Sequence, residues 1–447
     1  MKRAVVVGAG PNGLAGAIKL AQSGLHVTVH EAAETIGGGC RTAELTLPGF
    51  RHDICAAILP LARNSPAFRD LDVEWVDPPV PAAHPLDNDA VVLARTLNGT
   101  AEGLGADAAT YRHLVEPFVR AWPKRWSRWD LLRLRPGLAR GVLSARAVAR
   151  LYSTERARAL FAGHAAHSAL PLESAATAGF GLVLCAAAHV DGWPFPRSGS
   201  QAVVDALAAR LSALGGEIVT SSRVDALPSA DVVLCDLSPH EFARVARLPG
   251  YAPRFRHGPA AFKLDWALDG PIPWLSEACR SAGTVHVGGS FAEIARSERE
   301  SWDGRGPGEK PFVILAQQSL FDDSRAPPCK HTAWAYGHVP QRWTGDATDA
   351  IEAQVERYAP GFRSLILARH VMTPHDFESY NRNDVGGDIV GGANTLRQLV
   401  ARPTLRPFPW RTPLRGVYLC SASTPPGGGV HGLCGLAAAR MALRDVR

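Results

Sequence analysis

The chain of 447 residues predicts as an α/β protein: a parallel sheet wound with helices, with a mixed α+β region inserted between its strands. Three observations predict this. The opening stretch reads strand, glycine loop, helix, strand. In mid-chain a helical pattern is followed by a short apolar run, Ala230 to Pro239 (ADVVLCDLSP). The C-terminal stretch, residues 416 to 443, reads strand, glycine loop, helix once more.

Ala4 to Val7 is a short run rich in β-branched residues, as a strand buried on both faces requires. Gly8-Ala9-Gly10-Pro11-Asn12-Gly13 then fits G-x-G-x-x-G. Leu14 to Ser23 reads as a helix, with Gly24 at its C′ position. His26 to His30 is the second strand, and Glu31 stands at its end, 18 residues after Gly13. In such a unit Gly8 permits a tight turn, Gly10 lets backbone approach a pyrophosphate, and Gly13 lets helix and strand pack closely. Pro11 and Asn12 complete the loop. The helix N-terminus offers free N–H groups and partial positive charge to the phosphates, and Glu31 accepts hydrogen bonds from a ribose. Strand, loop, helix, strand and acid in this order read as nucleotide binding rather than as an ordinary glycine turn.

The length suggests two or three domains. Hydrophobic content of 46% with 20% charged residues suits a globular chain with a large core. The net charge of +6 is regional. Residues 122 to 158 hold ten Lys or Arg and two acids, so the rest of the chain is slightly acidic. Eight cysteines occur without a CxxC pair, which argues against structural zinc or a dithiol motif and for small buried hydrophobes in a reducing cytosol. Lys2 and Arg3 precede an apolar run, but the glycine motif breaks it, so no secretory signal is expected. The uncharged run Ser174 to Val190 is shorter than the ~20 residues of a spanning helix and reads as a buried helix.

A second glycine cluster, Gly37-Gly38-Gly39-Cys40-Arg41-Thr42, follows Glu31. It resembles the GG-x-R-T element of FAD-binding flavoproteins, which include the amine oxidases and phytoene desaturases. The segments PGFRHDICAAILPLARNSP (48 to 66), FPRSGSQAVVDALAARLSALGGEIVTSSRVDAL (195 to 227) and GVYLCSASTPPGGGVHGLCGLAAARMAL (416 to 443) extend the resemblance over almost the whole chain. FKLDWALDGPIPW, HTAWAYGHVP and GGDIVGG are similar to the bacterial branch of oxidoreductases related to phytoene desaturase.

The resemblance implies a Rossmann-like FAD-binding domain made of residues 1–75, 195–250 and 405–447. A mixed α+β substrate domain would use 76–194 and 251–404. Gly38, Gly39 and Thr42 would pass close to the dinucleotide, and Arg41 would carry charge near the phosphates or flavin. A strand carrying Val224 would bring main-chain contacts to the adenine. Gly428, Gly429 and Val430 would meet the flavin, and the last helix N-terminus would favour its anionic reduced form. No histidine sits in a covalent-flavin motif, so FAD is expected to be non-covalent. Two departures stand out: Ser421-Ala422 replaces the GD pair of many flavoproteins, and Ser198 stands where a glycine is expected before Gly199.

Three residues are candidates for chemistry. Lys263, on the strand AAFKLDWAL, stands where similar strands in amine oxidases place a lysine that holds a water at flavin N5. Alternation puts Phe262, Leu264 and Trp266 on one face and Lys263, Asp265 and Ala267 on the other. The competing reading is a lysine snorkelling from a half-exposed strand. His431 could donate to the flavin or act on substrate, or only pack at a helix start. His338 could face the cavity from a strand end, or be structural. Asp53, beside His52, could cap a turn. His164, His167 and His189 offer no metal-ligand spacing, and Ser301 to Pro311 reads as an exposed loop.

The basic stretch 122–158 interleaves Trp with Arg, as a peripheral membrane contact would. However, Arg140 and Arg146 flank Leu143 on a helical projection, so its apolar face is not clean. A basic outer face of the substrate domain is the plainer reading. Nucleic-acid binding is not expected. The expected function is an FAD-dependent oxidoreductase of the cytoplasm, or of the inner membrane surface. It would take hydride from a C–H bond of an apolar or polyketide-like small molecule onto flavin N5, with reoxidation by oxygen, a quinone or NAD(P). The alternatives are a redox-neutral isomerase or a saturase at the same site, and a flavin-free binding protein resembling the GDP-dissociation inhibitors.

Overall fold

A computed structural model describes residues 2–87, 89–122 and 139–446. Five parallel strands form one sheet, in the order Val417–Leu419, Val232–Cys235, Arg3–Val7, His26–His30, Glu217–Val219. Each strand is short and apolar because both faces are covered. Val6, Val29 and Leu234 face the helices Pro11–Ala21, Gln201–Ala213 and Leu433–Asp445. Val7, Val233 and Leu419 face Phe242 on the other side. All five strands lie within 1–75, 195–250 and 405–447.

The first helix begins at Pro11, not Leu14, because proline is already set for the first helical position. It ends at Ala21, and Gly24 turns the chain with φ +84°. The run 174–190 is helical over Thr177–Val190. The predicted strand around Val224 ends earlier, at Val219. Val224 lies beyond it, half-buried against the Val233 and Phe242 cluster. The loop read from Ser301 to Pro311 is only partly exposed: the helix Phe291–Trp302 enters it, and Gly306 and Pro307 are buried.

The second sheet has seven strands, in the order Ile366–Met372, Ala260–Leu268, His331–Val339, Val313–Ala316, Ala282–Val287, Val80–Leu86, Asp89–Leu93. All neighbours are antiparallel except Ala282–Val287 with Val80–Leu86. Its two faces differ in chemistry. Phe262, Leu264, Trp266, Val285 and Leu315 pack outward against Ile351 and Val355 of the helix Thr348–Tyr358. On the inner face one ladder row runs Met372, Lys263, Tyr336, Ile314, His286. Asp265, Trp334 and His338 share that face, as do Thr284 and, through Ala82, His84. The helices Glu155–Ala166 and Thr177–Val190 cover part of it.

The first and last helices cross at glycine. A Cβ on Gly435 would lie 1.8 Å from the Asn12 carbonyl oxygen. Two rigid backbones meet there, so Gly435→Ala should cost about 3 kcal/mol in denaturant unfolding. Gly24→Ala meets nothing within 4 Å and should cost only about 1 kcal/mol, the strain of a left-handed residue. Equal losses would mean the helix crossing is not a close-packed joint.

Candidate functional site

The carboxyl ends of the parallel strands deliver Gly8, Glu31, Asp236 and Ser421 to one edge of the sheet. The chain winds from Arg3–Val7 to His26–His30 on one side and places Val232–Cys235 on the other. This is the topological switch point at which open α/β sheets bind ligands. Gly8 has φ +103°. A Cβ on Gly13 would stand 2.1 Å from the Gly8 oxygen, and one on Gly38 would stand 3.3 Å from the Gly10 Cα. The two glycine clusters therefore lie back to back, with no side chain between their backbones. Asn12 is buried, and its Oδ1 has no protein partner among the described residues.

Glu31 is held from three sides. Ala9 N donates to Oε2 at 2.8 Å, and Ala33 N donates to Oε1 at 2.9 Å. The Arg41 Nη2 stands 3.2 Å from Oε1. A bare cradle with a positioned carboxylate at the end of the second strand fits a dinucleotide. Arg41 itself departs from expectation. Its guanidinium donates to the Thr35 and Ile36 carbonyls and to Glu31, and lies 5.2 Å from the Tyr380 ring, so its charge serves the carboxylate end of the crevice.

Thr42 also turns elsewhere. Its hydroxyl donates to Asp53 at 2.7 Å and accepts from Gln201 N at 3.2 Å. Its hydroxyl joins chain segments. Gly39 sits against Cys55, 3.8 Å from the position of a Cβ. Gly428 backs onto the Val390 carbonyl, Gly429 is exposed, and Val430 is half-buried on the core of the parallel sheet.

Asp236, which follows the buried strand Val232–Cys235, was missed in the sequence. Its Oδ2 accepts from Gly13 N at 2.9 Å, and a Cβ on Gly10 would approach it to 3.0 Å. Burial pushes its carboxyl up to about 7; the Gly13 N–H opposes this, and the nearby Glu31 adds to it. A polar residue directly after an apolar parallel strand was the available signal.

Lys263 is 1% exposed on an inner strand of its sheet, which excludes snorkelling. Its ammonium pairs with Asp265. His370 and His52 stand 3.4 and 3.6 Å from the same carboxylate. Burial pushes Asp265 up, but Lys263 and the two histidines outweigh it and hold the carboxyl below its usual range. Burial pulls His52 down to about 4. Cys55, the neighbour of Gly39, packs in one cluster with Met372 and Tyr336, the two residues that flank Lys263 on its ladder row, so the second glycine loop lies close to this ion pair.

The other two candidates carry structural bonds. His431 is buried, and burial lowers it to about 4. Its Nδ1 accepts from Leu433 N at 3.1 Å, capping the last helix, and its carbonyl accepts from Ser65. His338 Nδ1 lies 2.9 Å from Glu298 Oε1. The rings of His164, His167, His286 and Trp193 meet edge to face, with centroids 4.8 to 5.9 Å apart. His167 Nε2 stands 2.9 Å from His286 Nε2. Burial lowers His84 and His164 to about 4 and His167 to about 3, so these imidazoles are neutral near pH 7. His84 Nδ1, His164 Nε2, His286 Nδ1, Thr284 Oγ1 and Trp334 Nε1 are buried without a protein partner among the described residues.

Among the described residues no group of three or more His, Cys, Asp or Glu is arranged to hold a metal, and no helix is long and apolar enough to cross a membrane. Of the basic stretch, residues 123–138 lie outside the described residues. In the remainder Arg146 pairs with Glu173 and Arg156 with Asp89. The cysteines are free; Cys329 is exposed, Cys55 is half-buried and the others are buried.

This crevice, with the mixed sheet inserted beside it, has the organisation of a dinucleotide-binding α/β protein. Residues 6–73 match the family model described as an NAD(P)-binding Rossmann-like domain. Over 99% of its length the chain is 26% identical to pyridine nucleotide-disulfide oxidoreductase domain-containing protein 2 of Mus musculus, covering 94% of that protein. It is 27% identical to phytoene dehydrogenase of Streptomyces griseus over 95% of the chain and 92% of the relative. An oxidoreductase from Methanosarcina mazei superposes with a TM-score of 0.65 at 17% identity, covering 99% of this chain and 100% of that one. Putrescine oxidase gives 0.62 at 15% identity, covering 100% and 98%. These structural likenesses carry the fold, and the sequence relatives narrow the class. The chain is a flavin-type oxidoreductase similar to the phytoene desaturases.

The raised Asp236 carboxyl has a consequence for stability. The folded protein holds its proton up to about pH 7, whereas the unfolded chain releases it near pH 4. Asp236 therefore destabilises the fold increasingly as pH rises across that window. Asp236→Asn keeps an acceptor for Gly13 N and removes the titration. In urea unfolding at pH 5 and pH 8, the variant should lose less stability than the wild type, by on the order of 2 kcal/mol. Parallel losses in both proteins would refute this.

Proposed function

We propose that this chain is an FAD-dependent oxidoreductase that removes hydrogen from a C–H bond of an apolar or polyketide-like small molecule. The observation that carries the reading is the pair of glycine clusters packed back to back beside Glu31. An NAD-only crevice has no need of the second cluster, whose far side adjoins Cys55 and the Lys263–Asp265 pair. When bound, the flavin supplies the two-electron redox chemistry. The chain's own residues bind, orient and exclude water. Glu31 receives the ribose, and the N-terminus of Pro11–Ala21 receives the phosphates. Lys263 is a buried cation whose position is set by Asp265.

Within that substrate range, the inner face of the mixed sheet favours an oxygen-bearing, polyketide-like molecule over a bare hydrocarbon. Buried polar groups without partners are costly, and this face carries several of them. Its neutral imidazoles suit a hydroxyl or carbonyl, and offer no net charge to an amine or carboxylate. The relatives found are oxidoreductases, which supports an enzyme over a flavin-free binding protein.

An absorption spectrum of the purified protein tests the reading. Flavin bands, with about one FAD per chain released on heating, are the expected result. Glu31→Ala should weaken FAD binding about ten- to a hundredfold, the loss expected for a hydrogen bond to a charged group. A colourless protein that refuses added FAD would sink the proposal.

A further inference from the structure

The guanidinium of Arg402 is buried with no carboxylate in ion-pair contact among the described residues; Asp388 acts on it only from further off. Arg402 follows the helix Leu396–Ala401 and is 1% exposed. Among the described residues two other arginines are buried, and each has a carboxylate: Arg41 has Glu31 at 3.2 Å, and Arg325 has Asp53 and Asp322 at 2.9 Å. Arg402 has none within ion-pair distance among the described residues. Its Nη2 donates to the Gly392 carbonyl at 3.1 Å and to Asn394 Oδ1 at 3.3 Å, and its Nη1 reaches the Ala422 carbonyl at 3.4 Å. Its Nε has no protein partner among the described residues. Asp388 is engaged elsewhere, with His257 and Gly258 N. An uncompensated buried cation is strongly unfavourable, and three neutral acceptors do not require a full charge.

The position of this charge is specific. A Cβ on Gly427 would lie 2.5 Å from Arg402 Nη1, so the guanidinium stands directly behind the first glycine of the Gly427–Gly429 loop. That loop leads into the N-terminus of Leu433–Asp445, which already offers partial positive charge.

We propose that Arg402 supplies the positive charge that stabilises the negative charge gathering at the pyrimidine end of the flavin on reduction, and so sets the cofactor's reduction potential. This rests on the FAD reading above. Arg402 would act on the cofactor across the Gly427 backbone, as a buried charge and not as a direct contact. Asn394 holds the charge in place: its Oδ1 accepts from Arg402 while its Nδ2 donates to the Ser168 carbonyl.

The test is the reduction potential of the bound flavin, measured by photoreduction against reference dyes, with flavin content and melting temperature alongside. Arg402→Gln removes the charge and keeps neutral donors. Asn394→Asp keeps the guanidinium and sets a carboxylate against it. Both should shift the reduction equilibrium at least tenfold toward the oxidised form, about 30 mV for a two-electron couple. Arg402→Lys should retain most of the wild-type potential. If Arg402→Gln fails to fold or to hold flavin, Asn394→Asp decides. A flavin-loaded Asn394→Asp protein with an unchanged potential overturns the proposal and leaves Arg402 a structural residue. A wild-type protein that takes no flavin fails differently, since it removes the FAD reading and this inference together.

Discussion

Asp53 is the buried carboxylate on which the two halves of the molecule are joined. It accepts from the Thr42 hydroxyl at 2.7 Å, from Ser200 N at 2.7 Å and from the Arg325 guanidinium at 2.9 Å, with Gln318 at 3.3 Å. These groups come from three separate stretches of chain, at Thr42, at Ser200 and between Gln318 and Arg325. Arg325 in turn binds Asp322, whose other oxygen accepts a hydrogen bond from Ser324, and whose carboxylate also receives Ser198 N. A buried charge is tolerable only when paired and hydrogen-bonded, so each member of the group requires the others. The group pins Ser198 in a left-handed conformation, φ +66°, where a glycine would be at ease. It also starts the helix Gln201–Ala213, which packs beneath the first glycine crevice.

With this joint in place, the parallel sheet and the mixed sheet meet along the second glycine loop. Asp53 ends the strand Arg51–Asp53, Cys55 follows it against Gly39, and the Lys263–Asp265 pair lies behind Cys55. The second glycine loop and the inner face of the mixed sheet therefore pack against each other through Cys55. That face gathers polar groups that an ordinary core would exclude, while the opposite face is mainly apolar, and its Trp266 and Arg369 are both bonded to Glu352. The asymmetry is physical information about function. A helix covers the apolar face permanently, whereas unpartnered polar atoms stabilise the protein little until something meets them.

The histidines divide by environment. His338 and His431 each have Nδ1 engaged, one with Glu298 and the other with the N–H of Leu433 at the start of the last helix. His167 and His286 bond to each other and are held neutral by burial. A neutral imidazole can donate at one nitrogen and accept at the other, so this pair places a donor and an acceptor in the core without net charge.

The sequence by itself determined the dinucleotide unit, because that unit is local. Strand, glycine loop, helix and acid lie within 31 residues, and each glycine answers a steric demand from close neighbours such as Gly8 on Gly13. It determined the strand of Lys263 as well, through period-two alternation. Only the tertiary structure decided what the polar residues do. Asp53 read as a turn cap and became a hub, and Thr42 read as a cofactor contact and became a joint. Asp236 and Arg402 carried no motif at all. The physical reason is distance along the chain: the partners of Asp53 lie up to 272 residues away. No local pattern encodes which carboxylate will meet which guanidinium once the chain has closed. Whether a charge ends in an ion pair, as in Arg325, or among neutral acceptors, as in Arg402, is settled by packing.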